Sequence, residues 1–140
     1  MNQKDKLLAN RIYLILAALF IASLVTSNLI FQKFFYWYPF QMEVYGVKLF
    51  EVSVGLLPYP LTFLITDILS EIYGKRKANE VVIAGIFASF FSLLIIYVSK
   101  EVPATSWSQV NNSTFINVFG AAPLAVLASM MAYLFAQFID

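Results

Sequence analysis

The sequence contains no cysteine and no histidine. Those two absences exclude disulfides, thiol chemistry, imidazole acid–base catalysis and the usual zinc sites together. Charge is scarce as well. Only 12% of the 140 residues are Asp, Glu, Lys or Arg, with a net charge of +1, where soluble domains carry about 25%. There is no basic footprint for nucleic acid and no acidic tail. No nucleophile–base pair, phosphate loop or metal-ligand cluster is visible, so neither an enzyme nor a cofactor or metal site is expected. What fills the chain instead is apolar: 61% of residues, with a mean hydropathy of +0.78. Small domains bury the smallest fraction of their surface, so this surplus requires lipid. The composition is that of an all-α integral membrane protein.

About 20 apolar residues cross the hydrocarbon core as a helix. Four stretches approach that length: residues 12–31, 52–72, 81–98 and 119–139. The first follows Lys4, Lys6 and Arg11, the order of a signal peptide, but it exceeds the usual apolar region of about 7–15 residues. It is expected to be a retained span. The second is irregular, because Pro58 and Pro60 cannot donate backbone hydrogen bonds and restrict the residues before them. A helix is therefore expected from about Pro60, a proline suited to the first turn. Running to Tyr73, it would be about 21 Å long, short of the roughly 30 Å core. Residues 52–59 must then be a broken segment that lines protein or a water-filled cavity.

The connections carry their own signals. Residues 32–51 are rich in aromatics suited to the membrane–water boundary (Phe34, Phe35, Tyr36, Trp37, Tyr38, Phe40). Two short β-prone runs flank Tyr45-Gly46, so a small outer β-hairpin is expected there. Residues 99–118 read as a polar loop, and the overlapping sequons in its Asn111–Thr114 run are ascribed to coincidence. Lys and Arg divide six to three between the N-terminal tail with residues 74–80 and the other two loops. The positive-inside rule then places the N-terminus and residues 74–80 in the cytoplasm.

Ionisable groups inside a span cost about 2.5–3.5 kcal/mol each on insertion scales and point to function. Asp67 lies two turns inside the second apolar run, and Glu71 follows at i+4 on the same face. Thr62, Thr66 and Ser70 form an adjoining stripe. The bland alternative pairs both carboxylates with Lys75, Arg76 or Lys77; it suits Glu71 better than the deeper Asp67. No Lys or Arg lies within the spans, so Asp67 needs a donor from a ligand or another helix. Gln137 and Asp140 share a face of the fourth span. In the first, Thr26, Ser27 and Asn28 offer interhelical hydrogen bonds of about 0.6 kcal/mol each. Alanines at spacing four (Ala18 and Ala22; Ala84 and Ala88; Ala128, Ala132 and Ala136) mark candidate helix seams.

The run Pro60, Leu61, Thr62, Phe63, Thr66, Asp67, Glu71, Tyr73 and Gly74 resembles the signature of the queuosine precursor transporters, also called the vitamin uptake transporter family. A second match has Ser129, Ala132, Tyr133, Gln137 and Asp140 in the expected order. The resemblance covers roughly residues 12–140. Members have about six spans, so the chain is expected to represent the first four of that single transport domain. The resemblance implies a multi-pass protein of the bacterial inner membrane that imports 7-deazaguanine precursors. Asp67, Glu71, Gln137, Asp140, Asn28 and Thr66 become the substrate-binding candidates. It also leaves open a homo-oligomer, or a substrate-binding subunit docked on an energy-coupling module through Ala18 and Ala22. A non-transporting membrane scaffold is the remaining alternative.

Overall fold

The computed structural model describes residues 3–36, 43–44, 47–48 and 51–139, with side chains for all of these except 43, 44, 47, 48, 133, 134 and 136–139. Among the described residues there are five α-helices: α1 (Gln3–Ile30), α2 (Tyr59–Tyr73), α3 (Lys75–Glu101), α4 (Asn112–Phe119) and α5 (Ala122–Ile139). Four short strands lie between α1 and α2: β1 (Phe34–Tyr36), β2 (Glu43–Val44), β3 (Val47–Lys48) and β4 (Glu51–Ser53). β2 and β3 pair antiparallel with Val44 opposite Val47, which is the expected small hairpin, and β1 pairs antiparallel with β4.

Among the described residues three segments are long and apolar enough to cross a membrane: Gln3–Ile30, Lys75–Glu101 and Asn112–Ala132. The protein is therefore a multi-pass helical membrane protein. α1 begins well before the apolar run, because Gln3–Arg11 holds good helix formers and no Gly or Pro. The expected polar loop after α3 contains a helix. Asn111 caps α4 by accepting from Thr114 N at 2.8 Å, and Asn112 Oδ1 accepts from Ala104 N at 2.8 Å. The Asn-rich run is thus capping chemistry. α4 and α5 are separate helices because Pro123 lacks the N–H that would continue the ladder to Phe119.

The stretch expected as the second span is broken as its prolines require. β4 leads into a 3-10 turn (Val54–Leu56), and α2 starts at Tyr59 with Pro60 in its first turn. With 15 residues, α2 is about 22 Å long at 1.5 Å per residue. The turn is fastened to the C-terminal end of α1. Ser27 Oγ donates to Gly55 O, Ser53 Oγ donates to Phe31 O, and Val54 N donates to Lys33 O at 2.7 Å. A Cβ on Gly55 would lie 2.6 Å from Ser27 O and 2.9 Å from Phe31 Cα, so only glycine allows this approach. The non-helical backbone is satisfied by protein, as a membrane interior demands.

At the opposite end of the bundle, α2 turns into α3 through Gly74 alone, at φ 86°, a conformation that L side chains rarely adopt. Tyr73 Oη donates to Ala9 O at 2.8 Å, and Tyr13 Oη donates to Lys77 O at 3.3 Å. The two rings meet edge to face at 5.3 Å. These contacts put the N-terminal part of α1 and residues 73–77 at one end, so six of the nine Lys and Arg residues share it.

Phe20, Ile65, Leu69, Ala78, Val81 and Val82 form the core where α1, α2 and α3 meet. On α3 the buried seam is Ala78, Val82, Gly85 and Ser89, not the Ala84–Ala88 pair, of which Ala84 is exposed. A Cβ on Gly85 would approach Phe20 Cε1 to 2.8 Å. Among the described side chains of α5 the buried ones are Ala122 and Val126, while Ala128 is exposed. Ala18 and Ala22 lie on the exposed outer face of α1. Alanine spacing marks a face, but the bulky neighbours and the hydrogen bonds decide which face is packed.

Candidate functional site

α2 carries two neighbouring stripes at spacing four, Tyr59–Phe63–Asp67 and Thr62–Thr66–Ser70. Both border a cleft of about 430 Å³. Phe20 and Leu24 of α1, Lys75, Ala78, Asn79 and Val82 of α3, and Ala132 of α5 complete it. The helical repeat explains the set. Residues three and four apart share a face, so each helix contributes one strip of side chains to a common space. The broken start of α2 matters here, because Pro58 and Pro60 fix where the helix begins and hence which face Asp67 occupies.

The walls differ in chemistry. Tyr59 and Phe63 pack with ring centres 5.8 Å apart and a 55° tilt, forming an aromatic flank. Thr62 Oγ1 donates to Tyr59 O at 2.6 Å, and Thr66 Oγ1 donates to Phe63 O at 2.9 Å. Their hydroxyl hydrogens are thus committed to the helix, leaving only lone pairs for a ligand. Asp67 is different: its carboxylate makes no hydrogen bond or ion pair among the described residues. It is an acceptor-rich anion in a largely apolar cleft with an aromatic flank.

The sequence candidates divide accordingly. Asp67 and Thr66 line the cleft. Glu71 is exposed and does not line it. Asn28 is buried behind it, where Ser129 Oγ donates to its Oδ1 at 2.9 Å and joins α1 to α5. The side chains of Gln137 and Asp140 lie outside the described residues.

Of the three cations weighed as partners for Asp67 and Glu71, Lys75 is the one that borders the cleft. It stands outside the apolar run, yet the one-residue turn at Gly74 folds the start of α3 back along α2, so Lys75 lines the same cleft. In the sequence Lys75, Arg76 and Lys77 are both an orientation signal and the alternative partners of Asp67 and Glu71, yet none pairs with either carboxylate among the described residues. Among the described residues the other two serve their own helix: Arg76 and Lys77 reach Glu80 at 3.7 Å and 2.9 Å. The hydrogen bond from Lys77 to Glu80 and the Glu80 charge hold the Lys77 ammonium above its ordinary pKa. The α3 spacing of Lys75 and Asn79, i and i+4 beside a glycine turn, is the signal that could have revealed both.

Residues 53–140 match the model of a family described as "Putative vitamin uptake transporter". The chain belongs to this family. The matched region runs from β4 through the whole of α2 to the end of α5, so it contains the stripe that carries Asp67. A protein of Bacillus subtilis (strain 168), named "Probable queuosine precursor transporter", is 26% identical over 99 residues, which cover 71% of this chain and 42% of that protein. The chain thus spans less than half the length of this curated relative. No solved structure matches.

Proposed function

We propose that the protein takes part in import of queuosine precursors of the 7-deazaguanine type across the bacterial inner membrane, with the α1–α2–α3 cleft as its substrate site. The observation that carries this is the Asp67 carboxylate, unpartnered among the described residues, in a cleft of about 430 Å³. Small-ligand pockets are typically about 300–1,000 Å³, largely apolar, with a few convergent polar groups. A deazaguanine edge offers a ring N–H and an exocyclic amine side by side, and the two carboxylate oxygens of Asp67 accept them together. Lys75 supplies a donor for the ring carbonyl, and Tyr59 and Phe63 flank the flat ring. Membership of the family and the name of the Bacillus relative support a transporter rather than an enzyme.

In this reading Glu71, Gln137 and Asp140 join Asp67 in binding the substrate. The N-terminus and residues 74–80 face the cytoplasm, because they hold six of the nine cationic residues. The test is uptake of a labelled 7-deazaguanine precursor by cells that lack their own importer and express the complete gene. Accumulation above the empty-vector control is expected. Uptake equal to that control, with the protein present in the membrane, rejects the substrate assignment.

A further inference from the structure

Behind Phe20 and Leu24, on the side away from Asp67, lies a second and much smaller pocket of about 20 Å³. Its polar lining is Asn28 of α1, Ser89 of α3 and Ser129 of α5. Ser89 is 2% exposed, and its Oγ has no hydrogen-bond partner among the described residues. Helical serines normally escape that penalty by donating to the carbonyl one turn back. Ser92 does so to Ala88 O and Ser129 to Ala125 O, each at 2.9 Å. Ser89 does not.

The neighbouring bond is short of hydrogens too. Ser129 has one hydroxyl hydrogen, and its Oγ stands 2.9 Å from both Asn28 Oδ1 and Ala125 O. Sharing it between two acceptors leaves the Asn28 oxygen under-supplied. We propose that the pocket binds one water molecule, which accepts from Ser89 Oγ and donates to Asn28 Oδ1. One water needs about 10–15 Å³ of such space and two to four polar partners. The pocket meets both conditions. No carboxylate lines it, so a neutral ligand that both donates and accepts fits better than a cation. The water ties α3 to the α1–α5 pair directly behind the apolar wall of the Asp67 cleft. This inference does not rest on the substrate reading.

The sign of one substitution tests it. In a dry pocket Ser89→Ala removes an unsatisfied hydroxyl and raises the ratio of folded to unfolded protein. With water bound, Ser89→Ala removes a partner and lowers that ratio about two- to tenfold. The measurement is the unfolding equilibrium of the full chain in detergent micelles, with Ser129→Ala and the double substitution completing a cycle. The two hydroxyls should be coupled, with the double variant less damaged than the product of the single effects. Ser89→Cys, with a weak donor of similar size, should fall between Ser89→Ala and the parent. A Ser89→Ala protein as stable as the parent or more so overturns the proposal, and so does strict independence of the two sites. A stabilisation by sodium over choline chloride that Ser89→Ala abolishes also overturns it, by assigning the pocket to a cation.

Discussion

Replacing Asp67 by Asn keeps the shape of the side chain but turns one of its two acceptor oxygens into a donor. Against a ligand edge that presents two N–H groups, one hydrogen bond is lost and a donor faces a donor. A hydrogen bond to a charged group is worth about 1.5–3 kcal/mol, which corresponds to about a 10- to 150-fold rise in Kd. Folding should be little affected, because the carboxylate makes no bond among the described residues that the amide could lose. Thr66→Val is the matched control. The Thr66 hydroxyl already donates to Phe63 O and Thr62 O, so its loss should change binding by less than about fivefold, within about 1 kcal/mol. The assay is equilibrium binding of labelled precursor to the purified full-length protein, with insertion and thermal stability measured on the same samples. An Asp67→Asn protein that folds and binds with unchanged affinity would refute the assignment of Asp67 to the site.

Gly55→Ala should lower stability by about 1–3 kcal/mol, since its Cβ would meet the backbone of Ser27 and Phe31 at 2.6 Å and 2.9 Å; a parent-like unfolding midpoint would contradict the clamp of the 3-10 turn on α1. Arg76→Cys should react with an impermeant thiol reagent only from the cytoplasmic side, because the side chain is 95% exposed and the chain has no other cysteine; labelling of intact cells from outside rejects the orientation. The Lys77–Glu80 pair raises the Lys77 pKa, so its small stabilisation is complete below the ordinary lysine range and is lost as pH rises through the raised value. The stability difference between the parent and Lys77→Gln should therefore be constant between about pH 7 and 9 and close at higher pH; a difference that grows with alkalinity has the wrong sign.

Much of this molecule was legible in its residues. Hydropathy separates lipid-facing helices from everything else, since unpaired backbone in hydrocarbon leaves helices as the economical way for such runs to cross. Pro58 and Pro60 act locally through a missing N–H and a fixed φ, and the break before α2 followed directly. The hairpin around residues 44–47 was visible for the same reason, as a local alternation of β-prone residues. Asp67 announced itself because an ionisable group in an apolar run is costly wherever the helix sits. Tertiary structure decided which faces meet. Alanine spacing pointed to Ala84–Ala88 and to Ala128–Ala132–Ala136, but among the described side chains the packed surfaces are Ala78–Val82–Gly85–Ser89 and Ala122–Val126, chosen by the fit of Phe20 against Gly85 and by the Ser129–Asn28 bond. Lys75 entered the cleft only because Gly74, at φ 86°, lets α3 fold back along α2 within one residue. Periodicity along a single helix identifies its polar face, but it carries no information about the azimuth of a neighbour. That angle is set by long-range contacts, and it is what makes a cleft out of separate stripes.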